Sequence, residues 1–265
     1  MKIAIGIEYD GSRFNGWQSQ PSGNTVQDML EAALAGIAGE NVRLTAAGRT
    51  DAGVHALAQV AHFETSAARP DSAWVRGANA LLPPSVAVQW SVQVADGFDA
   101  RYSAAARTYR YFLHNHRVRP ALHHGRIGWF HRPLDLETMR IAARHLLGEH
   151  DFGAFRSSEC QAKSPVRNLV HANIERRGTI FMFEFTANAF LHHMVRNIVG
   201  SLVHVGKGKH TAEWLAGVLA SRDRGLAAPT FSPDGLYLAR VDYEPAWNLP
   251  GFARNMGFFP ERVPL

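Results

Sequence analysis

Hydrophobic periodicity is the tightest limit on what this chain can fold into. Val86, Val88, Trp90, Val92 and Val94 fall on every second residue, the spacing that places side chains on one face of a strand. Ile3, Ile5, Ile7 and Tyr9 do the same at the start, and Asp10-Gly11 ends that strand as a turn. Between them Val26, Met29, Leu30, Ala33, Leu34 and Ile37 recur at helical spacing, with Asn24 and Gln27 fitting a capping box. Shorter strands are expected near 42–46 and 56–64. A second helix is expected from Ser72 to Leu82, stopped by Pro83-Pro84. The order strand, helix, strand, strand, helix, strand is that of the split βαβ, or ferredoxin-like, unit.

The second half repeats this order without repeating the residues. Arg107 to Asn115 alternates, with Tyr109, Tyr111 and Leu113 on one face. Asp135 caps a helix whose last turn meets Gly148. Strands near 168–176 and 180–187 are joined by a tight Arg177-Gly178 turn. A strongly apolar helix runs from about Phe190 to Val205, a short one begins at Thr211, and Leu236 to Tyr243 makes a final strand. The expectation is therefore an α+β protein of two ferredoxin-like (RRM-like) halves. Residues 1–105 form the N-terminal half, 106–245 the C-terminal half and 246–265 a tail. The two antiparallel sheets can join edge to edge, which hides two strand edges and leaves a cleft of the kind that holds ligands.

Charge and cysteine content narrow the function. Lys plus Arg is 28 against 23 Asp plus Glu, a net +5, which suits a polyanionic partner such as nucleic acid. The single cysteine, Cys160, excludes an internal disulfide and a thiolate metal site, and fits a reducing cytosol. Glu8 and Asp10 near the start do not fit a signal peptide. No apolar run reaches the roughly 18 residues of a membrane helix. A cytoplasmic protein without a membrane is expected. The 14 histidines include His114-x-His116, His123-His124 and His192-His193, but lack familiar ligand spacings. They are read as surface or RNA-facing residues. Gly206-Lys207-Gly208-Lys209 lacks the glycine spacing of a phosphate loop.

The most informative stretch is Gly48-Arg49-Thr50-Asp51-Ala52-Gly53-Val54-His55, between two expected strands. Its glycines let a large ligand approach the backbone. A carboxylate there can act as nucleophile or base, and Arg49 can hold phosphate or reach toward a base. On residue pattern alone, a polar connection in which Asp51 bonds local amides explains it as well.

This segment resembles the signature loop of the tRNA pseudouridine synthase A family. Tyr9-Asp10-Gly11-Ser12-Arg13-Phe14-Asn15-Gly16-Trp17-Gln18 resembles that family's first motif, and Thr108-Tyr109-Arg110-Tyr111 its tyrosine strand. Phe190 to Gly200 resembles its third motif, so the matches run in order from residue 2 to about 243. The resemblance implies that Asp51 starts glycosidic cleavage as nucleophile or base. It implies that Tyr109 stacks on the target base, although alternation alone cannot choose between Tyr109 and Tyr111. Arg196 would pair with Asp51. A charge among Leu191, Met194, Val195, Ile198, Val199 and Leu202 is costly unless paired, although a solvated stripe with His193, Asn197 and His204 would also serve it. Arg49 would flip the nucleotide. Arg101 and Tyr102 would hold RNA, as would Gln161 and Lys163 in the stretch from Glu159. The implied partner is tRNA, at anticodon stem-loop positions 38 to 40, and the implied assembly is a homodimer. The implied reaction rearranges one nucleotide and needs no redox cofactor, metal or nucleotide energy.

Two other readings fit fewer of these features. A non-catalytic RNA-binding protein explains the charge and the tyrosines, but not an aspartate where phosphates would repel it. A nucleoside hydrolase using Asp51 would release free uracil.

Overall fold

In the computed structural model, which describes residues 1–251, the opening alternation becomes strand β1 (Lys2–Tyr9). Helix α1 (Val26–Ala38) follows, then β2 (Thr45–Ala46) and β3 (His55–Glu64). A π-helical turn, Ala73–Gly77, runs into the short α2 (Ala78–Leu81), and β4 (Val86–Val94) closes the set. The strands lie in the order β4, β1, β3, β2, every pair antiparallel. This is the ferredoxin-like arrangement that the element order predicts. The cap of α1 lies one residue later than expected. Thr25 accepts a hydrogen bond from Asp28 N, and the Asn24 amide instead donates to Arg13 O. Gly39, at φ +74°, ends the helix in the left-handed region that glycine adopts freely. Ile3, Ile5, Ile7, Leu30, Leu34, Phe63 and Trp74 are all buried. Each such side chain contributes about 1.5–3 kcal/mol by leaving water.

The middle of the chain begins with β5 (Ala104–Asn115), which pairs with the short parallel β6 (Gly128–Phe130). Helix α3 (Leu136–Arg144) is capped by Asp135, whose carboxylate accepts from Thr138 N at 2.6 Å. Gly148 does not close that helix. At φ +101° it opens β7 (Gly148–Asp151), a strand that the sequence does not signal. Strands β8 (Val166–Arg177) and β9 (Ile180–Ala187) form the expected hairpin, with Gly178 at φ +57°. Helices α4 (Met194–Gly206) and α5 (Ala212–Ser221, capped by Thr211) follow. The strand order is β5, β9, β8, β7, all antiparallel. Phe181, Phe183 and Phe185 of β9 are fully buried.

The last strand, β10 (Leu236–Tyr243), pairs in parallel with β3, Tyr237 opposite His55 and Leu238 opposite Ala56. Among the described residues, the chain divides into one unit of 1–106 together with 237–251, and a second of Arg107–Leu236. Nearly all of β10, placed by the sequence in the C-terminal half, is thus grouped with the first unit. Its end and the following turn, Pro245–Trp247, cover the sheet face opposite the helices. There Trp90 lies across Gly6, where a Cβ would stand 2.1 Å from the indole nitrogen. Phe98 packs 5.4 Å from Tyr243 and 5.3 Å from Trp247. The sheet of this unit is therefore covered on both faces. Of the expected tail, residues 252–265 lie outside the described residues. No described helix is long and apolar enough to cross a membrane.

Candidate active site

The turn that carries Asp51 joins β2 to β3 and is held by the segment that ends β1. Trp17 N donates to Thr50 O at 3.0 Å, and Gly53 N to Phe14 O at 3.4 Å. The Tyr9 and Thr50 hydroxyls share a buried 2.7 Å hydrogen bond, and Gln59 Nε2 donates to Gly48 O at 2.7 Å. Burial pushes the Tyr9 phenol up, so it keeps its proton. Two glycines make the fit possible. Gly16, at φ +90°, would bring a Cβ to 2.7 Å from Thr50 O, and a Cβ on Gly11 would overlap Val54 O at 1.9 Å. The motif Tyr9 to Gln18 is thus the clamp on the Asp51 turn. Most of its contacts with the turn are made through backbone atoms, and Tyr9 adds its hydroxyl.

His55, at the end of the turn, is 1% exposed and stacks on Tyr237 at 4.5 Å. Its Nδ1 lies 3.1 Å from Gly11 N and 3.2 Å from Asp10 Oδ1. Hydrogen bonding to His55 holds the Asp10 carboxyl well below the usual carboxylate range. His62 is also buried and accepts from Ala100 N at 3.0 Å. These two histidines are interior residues, contrary to the surface reading. Both lie on β3, which is buried at every position but its last. Its second face is covered by residues distant in sequence.

Four of the expected site residues lie in the first unit: Arg49, Asp51, Arg101 and Tyr102. Asp51 is half-buried and Arg49 exposed. Arg101 and Tyr102 form an exposed turn in which both backbone amides donate to Asp99 Oδ1, at 2.8 and 2.9 Å. The Arg101 guanidinium sits 5.3 Å from the Tyr102 ring, which is 79% exposed. This presents a cation and a flat ring together, the pairing that suits an unpaired base on a phosphate backbone.

The second unit holds the other four: Tyr109, Gln161, Lys163 and Arg196. Gln161 and Lys163 are exposed on the loop before β8. The two tyrosines of β5 differ. Tyr111 is fully buried, donates to Ser232 O at 3.0 Å and packs on Phe183 and Phe231. Tyr109 is 8% exposed and meets Phe190 edge to face at 5.0 Å. Packing thus makes Tyr111 a core residue, a distinction that alternation could not draw.

Arg196 lies in the first turn of α4 and donates from Nε to Phe231 O at 2.8 Å. Phe231 N returns a bond to Arg196 O at 3.3 Å. Asn197 is no part of a solvated stripe. It is fully buried, donates to Phe155 O at 2.7 Å and accepts from Thr230 Oγ1 at 2.7 Å and Arg224 Nη2 at 3.1 Å. Arg224 also donates to Ala228 O at 3.0 Å. This network seats residues 227–231 against α4 and fixes the start of the helix. Neither Asn197 nor Arg224 carries a periodicity or spacing signal that would single it out. Preceding them, His193 takes a left-handed conformation, φ 64°, costly for a non-glycine residue and concentrated at functional sites.

The sequence matches the family profile described as tRNA pseudouridine synthase over residues 5–103 and 142–244. It is 60% identical over 254 residues to the tRNA pseudouridine synthase A of Aromatoleum aromaticum, covering 96% of each chain. It is 56% identical over 252 residues to that of Nitrosomonas europaea, covering 95% of this chain and 93% of the other. The protein of the same name from Dechloromonas aromatica is 58% identical over 250 residues, covering 94% and 95%. The chain belongs to the tRNA pseudouridine synthase A family.

Proposed function

We propose that this chain is an isomerase that converts uridine to pseudouridine in the anticodon stem-loop of tRNAs, at positions 38 to 40, with Asp51 as nucleophile or base. The observation that carries the reading is the clamped turn. The residues on either side of a half-buried carboxylate are held there by backbone hydrogen bonds, which suits a group that must keep one position against a bound nucleotide. The N1–C1′ bond of the uridine breaks, the base rotates, and a C5–C1′ bond forms. The proton leaves C5 and N1 gains one, so atoms balance without cofactor or metal.

Arg196 supplies the positive charge that keeps Asp51 ionised, and Tyr109 stacks on the base. Arg49 enters the space left when the nucleotide flips out. Arg101, Tyr102, Gln161 and Lys163 hold the RNA. The chain works in the cytoplasm as a homodimer, one subunit docking the tRNA body while the other does chemistry.

Mapping pseudouridine in unmodified tRNAs that carry uridine at positions 38, 39 and 40 tests the reading. Modification confined to these positions supports it, and modification elsewhere or release of free uracil refutes it. A monomer with full activity would remove the dimer from the account.

A further inference from the structure

The second unit contains a cavity of about 590 Å³ between residues 153–158, the start of α4 and residues 224–230. Arg156, Ser157, Ser158, His193, Arg224 and Thr230 line it, and no lining residue is acidic. We propose that this cavity is a subsite for one backbone phosphodiester of the RNA, close to the reacting nucleotide.

The two arginines carry the argument. Arg156 Nη2 donates to Cys160 O at 2.5 Å and to Ala162 O at 3.0 Å. Arg224 donates to Ala227 O, Ala228 O, Asn197 Oδ1 and Thr230 Oγ1, at 3.0–3.4 Å. Every one of these acceptors is neutral. Neither guanidinium forms an ion pair with a carboxylate among the described residues. Two acids of this region are engaged elsewhere, Asp151 with Gly153 N and Arg222 and Asp223 with Gly225 N, and Glu159 is exposed beside Ser158. Two half-buried cations that face one cavity and make no ion pair with a carboxylate leave positive charge there without direct compensation. An anion in the cavity supplies that compensation. The planar guanidinium fits phosphate oxygens in pairs, and the Ser157 and Ser158 hydroxyls add neutral donors.

The shape and place favour a phosphodiester of a larger molecule. The volume exceeds that of one phosphate and leaves room for the adjoining sugar. His193 lies three residues before Arg196, and Ser157 N donates to His192 O at 3.0 Å. The cavity is therefore built on the same turn that seats Arg196. The bound linkage is one that flanks the flipped uridine, and its grip holds the nucleotide during rotation of the base.

The inference rests on the reading of the chain as a tRNA enzyme. The test uses anticodon stem-loop RNAs in which single linkages are replaced by neutral methylphosphonates. Binding and pseudouridine formation are measured with the wild type, Arg156→Gln and Ser158→Asp. Melting temperatures are recorded first. With the wild type, neutralising one linkage should weaken binding about tenfold, the worth of a charge-assisted contact. With Arg156→Gln, binding to unmodified RNA should fall by a similar factor, and the same linkage should lose its effect. The slope of log affinity against log salt should shrink by about 0.7–0.9. Ser158 is exposed, so Ser158→Asp keeps the test open if Arg156→Gln does not fold. Its carboxylate should abolish the sensitivity of that linkage. Effects that multiply at every linkage, or a linkage profile unchanged in both variants, overturn the subsite. A wild type that forms no pseudouridine in these RNAs defeats the underlying reading instead.

Discussion

The Asp51 turn and the start of α4 are held by opposite means. The turn is fixed mainly by backbone hydrogen bonds and by glycines that let two segments touch, Gly11 against Val54 and Gly16 against Thr50, with Tyr9 and Gln59 adding one side-chain bond each. The start of α4 is fixed by side chains, through the buried Asn197 and the two side chains that bond it, Thr230 and Arg224. Backbone clamping tolerates changes of side-chain chemistry but not of volume. A polar network centred on a buried amide does not tolerate that amide's loss, because the deletion leaves groups around it unpaired.

Volume added to the turn should have the largest effect. Gly11→Val places carbon atoms inside the space of the Val54 carbonyl, and a rotamer change cannot relieve a backbone clash. A loss above about 4 kcal/mol is expected, read as failure to fold cooperatively in denaturant. If Gly11→Val folds with near-normal stability, the clamp is not what holds the turn.

Deleting chemistry from α4 comes next. Asn197→Ala removes the partners of Phe155 O and Thr230 Oγ1 and one bond of Arg224. About 3 kcal/mol should be lost, measured by the denaturant midpoint. The folded fraction should turn over slowly, because the segment that bonds Arg196 Nε has lost its anchor. A cost below about 1 kcal/mol would show that packing alone fixes this helix.

A smaller, pH-dependent effect belongs to Asp10. Its folded pKa lies below the unfolded value, so its bond to His55 stabilises the fold above the ordinary carboxylate range. That contribution is lost as pH falls through the folded pKa. Melting temperature should therefore decline less steeply for Asp10→Asn than for the wild type between roughly pH 5 and pH 2. Equal slopes would remove this pair from the support of the turn.

Much of the fold was legible because its signals are local. The alternation of β1 and β4, the cap Asp135, the helix start at Thr211 and the hairpin at Gly178 each lie within a few residues. The features that were missed depend on distant partners. Thr25 wins the α1 cap over Asn24 because Asn24 is drawn to Arg13 O. Gly148 reads as a helix stop, but serves a strand whose partner, β8, lies about twenty residues on. Nothing in the alternation of β10 says that it will lie parallel to β3. The candidate site divides in the same way. Asp51 stands out because glycines frame it and family motifs flank it. Asn197 hides among the apolar residues of α4, and Arg224 looks like any surface arginine until its four acceptors are seen.

The central claim is that the Asp51 carboxylate starts the reaction. Pseudouridine content should be measured in unmodified tRNA after incubation with the wild type and with Asp51→Asn, alongside tRNA affinity and melting temperature. The substitution keeps the volume and removes the charge. The account predicts pseudouridine in the anticodon stem-loop with the wild type, and none with a folded Asp51→Asn that still binds tRNA. A mutant as active as the wild type would contradict it.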